Sequence, residues 1–299
     1  MMKEKALFAA LVLSLSFGAI VSTRADDRVE QPGPALERLG ARTGLSAQAV
    51  WPNLTAEAKK LQRQNKYALI VIGEDWKGGV KGLNYLKAQP GIRGVMFSHP
   101  DFSDDWVRCL EEMKDLKYVY VYGERFTDKG LKSLRHLRDL EALSLLQTSI
   151  TDKGLACLEG MTKLRWLSLC LTPVTGDGMV HLRRATELRW LNLDGTDVVD
   201  DGIAPLKNAT KMEWLRLSGH PAGKAGLKHL AEMRNLKALS IGSLITSEDE
   251  LKKMMDRAKG LEYIGTSDGV WTREGWKEGP GLEEKLRRVR QRIRDNIEK

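Results

Sequence analysis

Cysteine is scarce in this chain: three in 299 residues, an odd number that completes no disulfide framework. Histidine is nearly as sparse. His99, His136, His181, His220 and His229 are scattered, and no two form an H-E-x-x-H pair or join a metal-ligand cluster. A G-x-S-x-G elbow, a phosphate-binding P-loop and a dinucleotide fingerprint are missing, as is a D-x-D-x-D-G calcium loop. The pattern therefore reads as that of a non-enzyme without metal or cofactor. Charge leaves no nucleic-acid footprint either, because 48 basic residues are mixed with 40 acidic ones for a mild formal charge of +8. The longest apolar run, Ala6 to Val21, has 16 residues, short of the roughly 20 that cross a membrane as a helix.

What the sequence does hold is a period. Cut every 24 residues, it gives eight segments starting at Ala68, Ile92, Leu116, Leu140, Leu164, Leu188, Met212 and Leu236, with no insertion or deletion. The shared pattern runs L-x-x-L-x-L or its hydrophobic equivalents, then a short turn often holding Thr, a hydrophobe, Thr-Asp-x-Gly-Leu-x-x-Leu and a polar end. The nineteenth place is leucine in seven successive segments, from Leu86 and Leu110 to Leu206 and Leu230. A period between 20 and 29 residues with this spacing marks a leucine-rich repeat. Such units bury their apolar side only against one another, so the core is spread along the chain and one elongated domain is expected.

Each stretch of the repeat has a physical reason. In Leu164 to Leu169, written LRWLSL, the first, fourth and sixth places turn inward and the third, fifth and seventh turn outward by strand alternation. Thr148, Thr172 and Thr196, at place nine, lie in the turn leaving the strand, where a hydroxyl satisfies backbone groups that are costly to bury bare. Thr127-Asp128, Thr151-Asp152 and Ser103-Asp104 supply a helix N-cap and then a carboxylate in the first turn. Gly130, Gly154, Gly178, Gly202 and Gly226 stand just before a buried position and read as packing glycines, accepted because the next repeat approaches closely. The period also separates two cysteines. Cys109 and Cys157 share one place two repeats apart, about 10 Å in space, beyond the ~7 Å that a disulfide allows between α-carbons. Cys170 falls at a strand, and all three are expected to stay free.

The run LSLLQTSITDKGLACLEGMTKL, Leu143 to Leu164, resembles the I-T-D-x-G-L leucine-rich repeats of the cysteine-containing, ribonuclease-inhibitor-like type, found in F-box substrate receptors and in exported bacterial repeat proteins. The likeness spans Ala68 to Gly260. It departs at place nine, where that subclass has Cys and this chain has Thr, and no F-box is recognisable. The resemblance implies an α/β fold: a curved right-handed solenoid with a parallel sheet on the concave face and helices on the convex face, used to bind other macromolecules.

The outward places make the chain individual. Place three reads Ile70, Gly94, Tyr118, Ala142, Trp166, Trp190, Trp214 and Ala238, followed by Tyr263 in a partial ninth repeat. Three tryptophans thus fall on adjacent strands in one register, and neighbours about 4.8 Å apart can offset-stack into a rigid ladder. Tyr118, Tyr120 and Tyr122 make the outward face of the third strand wholly aromatic. Ser144, Ser168, Asn192, Arg216 and Ser240 at place five, with Asp194 and Ser218 at place seven, supply hydrogen-bonding neighbours. Rigid aromatics beside adaptable polar groups are what protein and peptide hot spots use. The candidate binding residues are therefore Tyr118, Tyr120, Tyr122, Trp166, Trp190, Trp214, Asn192, Asp194 and Arg216. Three other readings stay open: the ladder grips a carbohydrate or an anionic envelope polymer, the aromatics merely stiffen the sheet, or a terminal segment folds over them. His99 and His220 are expected at the rim of this face.

The ends complete the plan. Lys3 and Lys5 precede the apolar run, and Thr23 and Ala25 occupy the minus-three and minus-one places of a cleavage site. Residues 1–25 thus read as a secretory signal peptide, with an uncleaved anchor as the alternative, and the mature chain is expected outside the cytoplasm, periplasmic or extracellular. Residues 26–67, broken by Pro32, Pro34 and Pro52, read as an N-terminal capping segment with a helix from Thr55 to Gln64. The repeats fill 68–264, with the first degenerate at Gly73, where a core hydrophobe is expected. A longer capping helix is expected from Thr246 to Ala258 and a last strand from Leu261 to Ile264. Residues 265–281, with Trp271 and Trp276, read as a linker or strap. In 282–299, Leu282, Leu286, Val289, Ile293 and Ile297 make one apolar stripe of a basic amphipathic helix. That helix could pair as a short coiled coil, meet an anionic membrane or dock back on the protein; a spacer assembling through it is the structural alternative to a binding role.

Overall fold

The 24-residue period becomes one strand per repeat. A computed structural model describes residues 68–87, 91–218, 224–242, 248–266 and 269–278. The expected leader, N-terminal cap and C-terminal helix, and His220, lie outside the described residues. Eleven strands form one sheet in sequence order: β1 (Ala68–Ile72), β2 (Ile92–Phe97), β3 (Tyr118–Tyr122), β4 (Ala142–Leu146), β5 (Trp166–Ser168), β6 (Trp190–Asn192), β7 (Trp214–Arg216), β8 (Ala238–Gly242), β9 (Tyr263–Thr266), β10 (Gly269–Thr272) and β11 (Gly275–Glu278). Strands β1 to β9 pair in parallel. This is the leucine-rich-repeat solenoid, an open sheet with connecting helices on one side.

The inward rows build the core. Leu143 and Leu145, Leu167 and Leu169, Leu191 and Leu193, and Leu215 and Leu217 are fully buried, as is every leucine of the nineteenth place. Apart from the short turn Gly79–Gly82, whose only buried residue is a glycine, the described helices send buried side chains into this same cluster. Each such leucine contributes about 1.5–3 kcal/mol by leaving water, and the repetition of that term carries a fold in which each repeat touches only its neighbours.

The connections are tighter than the expected helices. Asp128–Leu134 is an α-helix, whereas Asp104–Leu110, Gly176–Leu182 and Asp200–Asn208 are 3-10 helices, the last with Pro205 inside it. A 3-10 helix rises about 2.0 Å per residue against 1.5 Å, so it spans the repeat in fewer residues and tolerates the proline's missing donor. The longer helix near the end is present at Glu248–Arg257.

Two places differ from the sequence pattern. In β1 a bulge between Ala68 and Leu69 shifts the register, so Ile70 pairs with Val95 and Ile72 with Phe97. One extra residue flips every side chain to the other face. Ile70 and Ile72 therefore sit in the core, Ile70 leaves the outward row, and Ile72 supplies the hydrophobe that Gly73 lacks. Further on, residues 269–278 are not a linker. They form a hairpin that continues the sheet, antiparallel to β9, turning at Arg273-Glu274 with Gly275 at φ +108°.

Candidate functional site

The outward row forms as strand alternation dictates. Tyr118, Ala142, Trp166, Trp190, Trp214, Ala238 and Tyr263 are cross-strand partners in turn, and Tyr120, Ser144, Ser168, Asn192, Arg216 and Ser240 form the next row. Trp166 and Trp190 stack with ring centroids 4.3 Å apart and an interplanar angle of 6°. Trp214 follows in strand register, but the only stack joining these three indoles is the Trp166–Trp190 one, so the expected three-rung ladder has two rungs.

The polar neighbours are less adaptable than their types suggest. The Asn192 side-chain oxygen accepts the Asp194 backbone N–H at 2.8 Å. Asp194 accepts the Ser218 backbone N–H at 2.7 Å through one oxygen and the Arg216 Nε–H at 2.6 Å through the other. The Ser218 and Ser240 hydroxyls lie 3.0 Å apart. Asn192, Asp194 and Arg216 are thus one fixed polar unit across β6 and β7. Place five can serve place seven in this way because both face the same side of one strand, two residues apart.

Burial is what the sequence does not foretell. Trp166 is 7% exposed, Trp190 8%, Trp214 3%, Tyr118 4% and Tyr120 0%. None of them belongs to the leucine core cluster. Asn192 is buried too, while Tyr122, Asp194 and Arg216 are half-buried. Burial holds the Tyr120 phenol well above its usual range, with Tyr122 and Cys170 adding and the Ser144 hydroxyl opposing. Tyr122 is raised as well, by burial and then by Glu124.

Burial keeps the thiols protonated. Burial pushes the Cys170 thiol up to about 12, with Asp194 adding and Arg216 opposing, and Cys109 to about 12 for the same first reason. A thiol held protonated is a poor nucleophile. All three cysteines are free. The half-buried His99 ring packs on Trp106 with centroids 4.9 Å apart and accepts the Asp101 N–H at 3.0 Å. Among the described residues no group of three His, Cys, Asp or Glu side chains is placed to hold a metal ion, and no helix is long and apolar enough to cross a membrane.

Sequence reasoning missed a row on the opposite side of the molecule. Asp104 accepts both the N–H and the hydroxyl of Thr127, each at 2.7 Å. Asp128 does the same for Thr151 at 2.8 and 2.6 Å, and Asp152 for Thr175 at 2.8 and 2.7 Å. These carboxylates clamp one repeat to the next. The visible signal was Thr-Asp recurring every 24 residues, which the capping explanation absorbed. Thr127 and Thr175 do cap their own helices, but Thr151 makes no side-chain cap bond.

No protein-family model matches the chain, and no curated protein is a significant match. Among solved structures it is similar to an internalin C2 from Listeria monocytogenes, at 20% identity over 62% of this chain and 74% of that one, with a TM-score of 0.47. It is also similar to an internalin, inlF, from the same organism, at 17% identity over 66% of this chain and 73% of that one, with a TM-score of 0.40.

Proposed function

We propose that this is an exported, non-enzymatic binding protein whose concave sheet face, centred on Trp166, Trp190 and Trp214, recognises a protein or peptide. The observation that carries this reading is the Trp166–Trp190 stack set beside the fixed Asn192–Asp194–Arg216 unit. A solenoid needs only its inward leucines to fold, so bulky aromatics on the other side of the sheet are an addition to the scaffold. Rigid aromatics flanked by oriented polar groups give contact area at low entropic cost. The half-buried Tyr122, Asp194 and Arg216 form the accessible rim, and export follows from the leader pattern of residues 1–25.

Capture from the native extract tests the reading. The intact chain is compared with a Trp166→Ala, Trp190→Ala, Trp214→Ala variant and with the milder Trp190→Leu, each checked by circular dichroism for retained fold. Partners recovered by the intact chain are expected to fall away from both folded variants. Equal recovery from a folded variant sinks the assignment of the face.

A further inference from the structure

A second recessed surface lies on the helix side of the sheet, where the helix Glu248–Arg257 meets the terminal hairpin. A cavity of about 390 Å³ opens there, within the range of roughly 300–1,000 Å³ that small-ligand pockets occupy. Its floor is apolar. Met255 belongs to the leucine core, and Trp271, the cross-strand partner of the inward Ile264, packs against that core. Trp76, Trp106, Trp166, Trp190 and Trp214 are buried, whereas Trp271 is half-buried, so part of its indole is left for contact. The walls are tied in place. Arg273 donates to the Ala258 and Lys259 carbonyls just past the end of the helix. The Thr272 hydroxyl closes the hairpin turn, accepting the Glu274 N–H at 3.2 Å and donating to the Gly275 carbonyl at 3.1 Å. A cavity between two elements joined in this way is preformed.

We propose that this cavity docks an arginine side chain from a basic segment of a partner protein. Charge complementarity selects the occupant. Asp249 and Asp256 share one face of the helix, two turns apart, and Glu274 joins them from the hairpin; all three line the cavity and are exposed. Against them stand Lys252 and Arg273, and the Arg273 guanidinium is engaged by the helix-end carbonyls. The rim is therefore acidic in a chain whose formal charge is +8. A cation is not gathered by the field of the whole molecule and has to be held locally. Arginine suits the site better than lysine. Its planar guanidinium stacks on an indole and meets carboxylates through a fork of donors, while its aliphatic stem covers the Met255 floor. The site is separate from the concave face and stands whether or not that face binds.

The test uses the full chain labelled with fluorotryptophan, the Trp271 resonance being assigned through Trp271→Phe. Fluorine NMR is followed as the peptide acetyl-Gly-Arg-Gly-amide is added at low salt. The Trp271 resonance is expected to move saturably while those of Trp166 and Trp190 stay in place. A norleucine peptide, which keeps the aliphatic stem without the charge, is expected to bind more weakly. A second arm neutralises the rim with Asp249→Asn, Asp256→Asn and Glu274→Gln together, all at exposed positions that leave the core untouched. The Kd for the arginine peptide is expected to rise about three- to tenfold, as the loss of several exposed ion pairs implies. An unmoved Trp271 resonance, equal binding of the norleucine peptide or of one carrying glutamate, tighter binding of spermidine than of the arginine peptide, or an unchanged Kd in the neutralised variant overturns the proposal.

Discussion

At the residue scale, place eight is where the chain leaves the sheet, and backbone conformation sets what is tolerated there. Gly123, Gln147, Leu171 and Gly195 occupy it with φ of +131°, +53°, +56° and +66°. The following threonines close the turn, with Thr148, Thr172 and Thr196 hydroxyls donating to the carbonyls of Leu145, Leu169 and Leu193 at 2.9, 2.6 and 2.8 Å. The threonine role was readable from sequence because it repeats. The positive φ was not, since two of the four residues are not glycine. Gly123→Ala is expected to cost about 1–3 kcal/mol, because φ +131° lies outside even the left-handed well, while Gln147→Gly is near neutral, relief of left-handed strain being offset by chain entropy. Urea midpoints check both; a larger loss at Gln147 than at Gly123 contradicts the argument. The thiols give a second prediction. Cys109 and Cys170 are buried and raised to about 12, whereas Cys157 is half-buried and raised less. In the native chain iodoacetamide at pH 8 is expected to reach Cys157 first, as peptide mapping would show, and equal rates at Cys170 count against its burial.

At the element scale, the aspartate clamp explains the glycines better than close approach in general. A Cβ on Gly154 would overlap the Asp128 carboxylate, and one on Gly178 that of Asp152. Gly154 and Gly178 thus make room for the carboxylate of the preceding repeat, and Gly130 does so for Asp104 beside the Phe126 ring. A double-mutant cycle exposes the link. Gly154→Ala is expected to destabilise the native chain, although alanine is worth about 1 kcal/mol more than glycine in a helix, because it evicts the clamp. In an Asp128→Ala background the two nearest atoms, both of the carboxylate, are gone, and Ile150 Cγ2 at 3.2 Å is the next. The same substitution should then be neutral or stabilising, with a coupling of about 0.5–3 kcal/mol. Additive effects in thermal melts mean the clamp and the glycine are unrelated. Packing at these glycines was legible in the sequence, but its cause was not, because the partner sits 26 residues upstream and only the fold brings it near.

At the scale of the whole molecule, what repeats was legible and what happens once was not. The leucine of the nineteenth place declares itself seven times over, whereas the slip in β1 and the terminal hairpin each occur at one place. The same distinction predicts a weak joint. The clamp fails after Thr175 because Gly176 stands where Asp128 and Asp152 stand in their repeats, and here the backbones of Gly176 and Gly202 close directly on each other. A designer following the repeat would write Gly176→Asp to restore the missing carboxylate. The structure forbids it, since any side chain at Gly176 meets the Gly202 backbone rather than a flexible group that could move aside. The substitution is expected to cost about 1–3 kcal/mol as an overpacking change and to part the two repeats locally. Because a solenoid couples only neighbours, the loss should appear in native-state hydrogen exchange as faster opening of Asp200–Asn208, with Asp128–Leu134 unaffected. A stabilised protein, or a loss of protection spread evenly along the repeats, would show that Gly176 is a gap in the pattern and not a contact the solenoid requires.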